Sequence, residues 1–200
     1  MSDPQTYSKK SFLARGLLPL VDCEDFCEVL DEYSDRNMGM GTNSADTVVN
    51  YSTQPGHKDQ HTYLYGEPFG QELQREIQPE VQRLTGLKLK RSYVSSRKYF
   101  KGNELFSHKD RKSCEISVSI CLGMSEFTAW PLYADNQPLI CKPGDGIIYP
   151  GVMVEHWREP LHIDWYSVLL VHYVNADGPH VYSEDRLSDL EQLNTNTRHF

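Results

Sequence analysis

No run of the chain is apolar for long enough to cross a membrane; the most hydrophobic stretch, SVLLVHYV at 167–174, has the length of a strand. The opening residues MSDPQTYSKKSF lack an apolar h-region, so no secretory leader is expected and a cytoplasmic address follows. Cysteine is sparse and odd in number. Cys23, Cys27, Cys114, Cys121 and Cys141 are too scattered for the disulfide framework of a small secreted domain and read as reduced thiols. A cationic excess is lacking as well: 28 acidic and 20 basic side chains give a net charge of −8, which excludes a protein that wraps duplex nucleic acid with a broad basic surface. Repeats, low-complexity blocks and linkers are missing too, so the 200 residues read as one domain over 1–200.

What is present begins with an uneven charge distribution. Between Lys88 and Lys112 lie nine Lys or Arg residues against Glu104 and Asp110 alone, a local balance of +7. Such a strip is either a solvated strand face or a field that draws a small anion into a nearby cleft. Residues 20–34 place Cys23, Phe26, Cys27 and Leu30 at helical spacing after Asp22, a plausible N-cap, which predicts an amphipathic helix with both cysteines in the core. A second helix is expected over 67–85, with Phe69, Leu73, Ile77, Val81 and Leu84 on one side. Pro79 is expected to restart it and Gly86 to end it. Between the helices, 38–62 reads as a strand or two within loop.

From residue 87 the text turns to short runs rich in Val, Ile, Tyr and Ser, parted by turns such as Lys101-Gly102-Asn103 and Pro143-Gly144-Asp145-Gly146. That pattern predicts a mainly β (α+β) chain: a helical support region at 1–86, a jelly-roll core at 87–176 and a polar tail at 177–200. Within the core, a strand through His108-Lys109-Asp110 would turn His108 and Asp110 to one face. Farther on, PGDG is expected to launch a strand that carries His156. Two imidazoles and one carboxylate on one side of an ion leave three positions open, a facial triad suited to non-haem Fe(II) and O₂. Zinc more often takes Cys or a third His in a closed shell.

On RKYFKGNELFSHKDRKSCEIS and KPGDGIIYPGVMVEHWRE the chain resembles the Fe(II)/2-oxoglutarate dioxygenases, in their prolyl 4-hydroxylase-like branch with its double-stranded β-helix (jelly-roll, cupin-like) and N-terminal support helices. The resemblance implies that His108, Asp110 and His156 hold the metal and that Tyr99 lines the 2-oxoglutarate pocket. It departs from the branch at one place. Where relatives carry Arg or Lys for the remote carboxylate of 2-oxoglutarate, sliding the last strand into register leaves Tyr166. Arg158 and Arg97 are the candidates to replace that cation, with Tyr166 as a supporting hydroxyl and His172 in phase with it.

The resemblance implies an enzyme: an Fe(II)-, 2-oxoglutarate- and O₂-dependent hydroxylase acting on a small molecule, an amino acid or a peptidyl residue, with release of succinate and CO₂. Two other readings stay open, a non-catalytic cupin-like metal-binding module and a metal-dependent oxygenase or isomerase that needs no 2-oxoglutarate. Neither duplex nucleic acid nor a membrane is an expected partner.

Overall fold

The computed structural model describes residues 10–37, 57–58, 62–66 and 68–181. In chain order these form β1 (Phe12–Ala14), α1 (Leu20–Asn37), β2 (His57–Lys58), β3 (Thr62–Tyr65), α2 (Pro68–Thr85), β4 (Leu89–Phe100), β5 (Glu104–His108), β6 (Ile116–Met124), β7 (Leu132–Ala134), β8 (Gln137–Leu139), β9 (Gly146–Tyr149), β10 (His156–Arg158) and β11 (Trp165–Asn175). Most of the stretch at 38–62 lies outside the described residues, as does the tail beyond residue 181. No described helix is long and apolar enough to cross a membrane.

The strands pair antiparallel in two sheets: a larger one ordered β1-β9-β6-β11-β4-β3 and a smaller one ordered β2-β5-β10-β7-β8. The chain is mainly β, a double-stranded β-helix with helices against one sheet, as the strand pattern predicts. Alternation decides what each face of the larger sheet meets. On β6, Ile116, Val118, Ile120 and Leu122 join Phe26 and Leu30 of α1 and Leu73, Ile77 and Val81 of α2 in one buried cluster. The intervening Ser117 and Ser119 face the other sheet, across a second cluster that includes Tyr99, Trp130, Ile147, Tyr149 and Val168.

A bulge keeps β4 in phase with these two layers. Opposite Val171–Tyr173 of β11, β4 steps from Val94 to Arg91, one residue more than its partner. Side-chain facing therefore reverses. Leu89 and Val94, of opposite parity, both reach the helix-side cluster, while Tyr93, Ser95, Arg97 and Tyr99 all turn inward.

Three expectations about elements need correction. α1 begins at Leu20, so Asp22 lies in the first turn, where its charge suits the positive helix end, and is not the cap. α2 runs unbroken through Pro79, which is exposed, so the carbonyl its missing N–H leaves unpaired lies on the solvent side. Gly86 ends it as expected, at φ +70 with its N–H on the Gln82 carbonyl. Finally, the strand drawn through GIIYPGVMVEHW is two. Pro150 ends β9, a turn over Gly151–Met153 follows, and β10 starts at His156 in the opposite sheet.

Candidate metal centre and its cavity

His108 and His156 meet because β5 and β10 pair antiparallel with these two residues directly opposite one another. Their rings lie 4.3 Å apart. Asp110 arrives differently from the expectation: β5 stops at His108, and Asp110 is held beyond the strand by its own N–H on the Gly151 carbonyl at 2.8 Å. That contact needs glycine. A Cβ on Gly151 would overlap Asp110 Oδ2 and sit 2.6 Å from the Cys114 carbonyl oxygen.

The donor set is oriented by its neighbours. His108 Nδ1 bonds the Phe106 carbonyl at 2.8 Å and His156 Nδ1 the Val154 carbonyl at 3.0 Å. A carbonyl only accepts, so in the neutral rings Nδ1 carries the proton and Nε2 presents a lone pair. Both lone pairs aim at Asp110 Oδ1, from 3.7 Å for His108 and 3.6 Å for His156. Those distances are too long for hydrogen bonds. Burial, then the charge of His156, lowers the His108 pKa and favours its neutral form. Burial alone would raise the Asp110 pKa, but His156, His172 and the Ser117 hydroxyl together pull it below the usual carboxylate range. Three electron-pair donors within 4.8 Å of one another, none facing another's proton, fit a shared cation.

A second cluster, Asp110 with Cys114 and His172, has the spacing but not the chemistry. Burial pushes the Cys114 thiol up to about 12, and its sulfur is already in contact with the Tyr93 hydroxyl at 3.0 Å. His172 Nδ1 is already 2.9 Å from Ser117 Oγ. The Ser117 hydroxyl has one proton, and it goes to Asp110 Oδ2 at 2.8 Å. His172 must then donate to Ser117 through Nδ1, which leaves Nε2 as the acceptor of the ring. The chain His172–Ser117–Asp110 thus occupies Oδ2 and leaves Oδ1 to the imidazole pair. Neither Ser117 nor Gly151 was singled out by sequence reasoning; a small inward residue on β6 and a Pro-Gly turn were the available signals.

The centre opens into a cavity of about 560 Å³ between the sheets. Tyr99 and Arg97 line it from β4, and Arg158 from β10. Arg158 is buried, with Nη1 on the Trp130 carbonyl at 2.7 Å and Nη2 3.5 Å from Ser119 Oγ. Its guanidinium stacks on Trp130 and on Tyr166, 4.5 and 5.2 Å from the ring centroids. Tyr166 itself does not line the cavity: it is buried behind Arg158, with its ring against Trp130 at 5.0 Å. The inward positions of β11 that do reach the cavity are Val168, Leu170 and His172. The three tryptophans are packing residues. Trp130 meets Tyr99 edge-on, Trp157 stacks on Tyr133 and Trp165 takes the Lys98 ammonium.

No family model matches the chain, and no curated protein matches it in sequence. Solved structures do match in shape. A Pseudomonas putida prolyl-4-hydroxylase is 12% identical with a TM-score of 0.61, over 81% of this chain and 91% of that one. AviO1 from Streptomyces viridochromogenes Tue57 is 14% identical with a TM-score of 0.64, over 90% and 98%. The non-haem α-ketoglutarate-dependent carbocyclase SnoK of nogalamycin biosynthesis is 12% identical with a TM-score of 0.63, over 87% and 83%. At these identities the likeness establishes the fold.

Proposed function

We propose that this chain is an Fe(II)/2-oxoglutarate-dependent oxygenase whose metal is held by His108, Asp110 and His156. The observation that carries the reading is the convergence of two Nε2 lone pairs and one carboxylate oxygen at the edge of an inter-sheet cavity. This donor set, with open positions facing a cavity, suits ferrous iron better than a closed structural zinc site. A likeness in fold to a prolyl-4-hydroxylase and to an α-ketoglutarate-dependent carbocyclase supports the same reading by analogy.

For 2-oxoglutarate the chain offers Arg158, with Ser119 and Tyr99 beside it. Arg158 stands two residues past His156 on the same strand, and its guanidinium fills the space over Tyr166, where a cation from β11 is missing. A buried carboxylate needs such a partner. Arg158 is favoured over Arg97 because its fork is already oriented by the Trp130 carbonyl and flanked by two aromatic rings. Tyr166 acts as a platform for that fork.

Ferrous iron with 2-oxoglutarate and O₂ supplies the oxidising power to attack an unactivated C–H bond, releasing succinate and CO₂. The protein's part is orientation and exclusion of water. The backbone carbonyls at Phe106 and Val154 fix both imidazoles, Ser117 fixes the carboxylate, and Tyr149 packs against His156 at 4.7 Å. Hydroxylation is the reaction we assign, since Asp110 is a carboxylate able to complete the ligand set.

Anaerobic addition of Fe(II) and 2-oxoglutarate is expected to produce a weak visible metal-to-ligand charge-transfer band in the wild type and none in His108→Ala. No band in the wild type would overturn the reading. One observation favours a second: the inward face of β11 carries no Lys or Arg, as in a metal-binding module that takes no cosubstrate. Calorimetry showing metal uptake without 2-oxoglutarate affinity would select it.

A further inference from the structure

One buried polar atom in the cavity wall is left over by the metal centre and by the groups assigned to 2-oxoglutarate. His172 follows Val168 and Leu170 on the inward face of β11; it lines the cavity and is 4% exposed. It lies opposite the bulge of β4, with its ring against Tyr93 at 4.5 Å. Nδ1 carries the ring proton and gives it to Ser117, so Nε2 is a lone-pair acceptor. Burial lowers the pKa of the ring to about 4, which keeps Nε2 unprotonated near neutrality. Among the described residues Nε2 meets no hydrogen-bonding partner, and it is not sealed from the space beside it.

Strand register separates this atom from Arg158. His172 stands opposite Ser117 on β6, and Leu170 opposite Ser119. Arg158 reaches Ser119 with Nη2 and stacks on Tyr166, so its guanidinium belongs to the Tyr166–Leu170 end of the inward face. Tyr166 and His172 are roughly 20 Å apart along an extended strand. His172 therefore borders the part of the cavity that Arg158 does not serve. It is also close to the metal centre: a ring nitrogen of His172 lies within 4.8 Å of a carboxylate oxygen of Asp110.

Resting on the oxygenase reading above, we infer that His172 is a specificity-determining residue whose Nε2 accepts a hydrogen bond from a neutral donor of the primary substrate, a hydroxyl or an amide N–H. A ligand without that proton leaves the nitrogen desolvated and unpaired, so the wall selects for molecules that donate. A charged ammonium fits less well. It needs a carboxylate, and Asp110, the single one in the described lining, belongs to the metal centre. Leu132, Val168 and Leu170 offer apolar wall to the body of such a molecule, and the cavity has the size of a small-molecule site. A donor anchored at His172 brings its neighbouring carbons beside the metal centre.

The test uses the full chain saturated with Ni(II) and then with 2-oxoglutarate, and titrated calorimetrically with phenol, cyclohexanol and benzamide, each against its O-methyl or N,N-dimethyl analogue. At least one donor is expected to bind about tenfold more tightly than its methylated analogue. His172→Phe is expected to abolish that difference by weakening the donor alone. His172→Gln, whose amide can donate to Ser117 and still present a carbonyl oxygen, is expected to retain most of it. Preference for the alcohols assigns a hydroxyl, and preference for benzamide alone assigns an amide N–H. No binding by any of these compounds, no preference within any pair, or a preference that survives in His172→Phe would overturn the assignment. A histidine with a structural role alone predicts that donor and methylated analogue weaken in parallel, which also overturns it. A wild-type chain that takes up Ni(II) but no 2-oxoglutarate removes the cosubstrate reading instead. His172→Leu, smaller and equally without ring nitrogens, replaces His172→Phe should that variant fail to fold.

Discussion

Ser117 decides which oxygen of Asp110 is available. By donating to Oδ2 and accepting from His172, it holds the carboxylate with Oδ1 toward both imidazoles. Outer partners of this kind are typically worth 10–100-fold in metal affinity, so Ser117→Ala is expected to weaken Ni(II) binding by about that factor, measured calorimetrically, without loss of fold. His172 gives a pH signature to the metal-free protein. Its folded pKa of about 4 lies below the ordinary 6.5, so between those values the unfolded chain binds more protons and stability rises with pH. As pH falls through that window, stability is expected to drop by roughly 3 kcal/mol in urea unfolding, and His172→Gln should flatten the curve. His108, also lowered, adds in the same direction, whereas the stability Asp110 contributes is lost only at more acid pH, because its pKa is depressed below 3.8.

At the level of elements, the centre depends on where strands stop. β5 ends at His108 and β10 starts at His156, so the two imidazoles sit at the last rung of a short ladder and Asp110 is free to leave the strand plane. The turn between β9 and β10 completes the arrangement by presenting the Gly151 carbonyl to Asp110 N–H. Gly151→Ala is expected to displace Asp110 and reduce Ni(II) binding at least tenfold while circular dichroism of the sheets is retained, because the added methyl meets Oδ2 and the Cys114 carbonyl. An unaltered Ni(II) affinity in this variant would refute that packing argument. Helix and strand identities were legible in the sequence because the apolar period of Cys23, Phe26 and Leu30, or of Ile116, Val118 and Ile120, is local information. The break at Pro150 was not, since β9 and β10 belong to different sheets, a distinction carried by partners far away in the chain.

Over the whole molecule, the centre joins the two sheets. His108 and His156 belong to the smaller sheet, while Asp110 is tied to Ser117 of the larger one. A metal bound only by the folded state stabilises it by mass action, about 2.7 kcal/mol at a hundredfold excess over Kd. For a chain of this length that corresponds to a rise in Tm of roughly 5–10 °C with Ni(II), expected to vanish in His156→Ala. The charge distribution follows a similar division: a net charge of −8 overall coexists with a cavity whose described lining holds four Lys or Arg residues and one carboxylate.

The sequence by itself determined the layer pattern and pointed to His108, Asp110 and His156 as one cluster, since strand and helical periods and a His-x-Asp followed by a distant His can all be read along one line. Tertiary structure alone decided that Arg158 lies over Tyr166 at the cavity, and that Ser117 and Gly151 hold Asp110. The physical reason is distance along the chain. Each of these contacts is made across a sheet or between sheets, by residues whose neighbours are set by strand pairing and not by spacing.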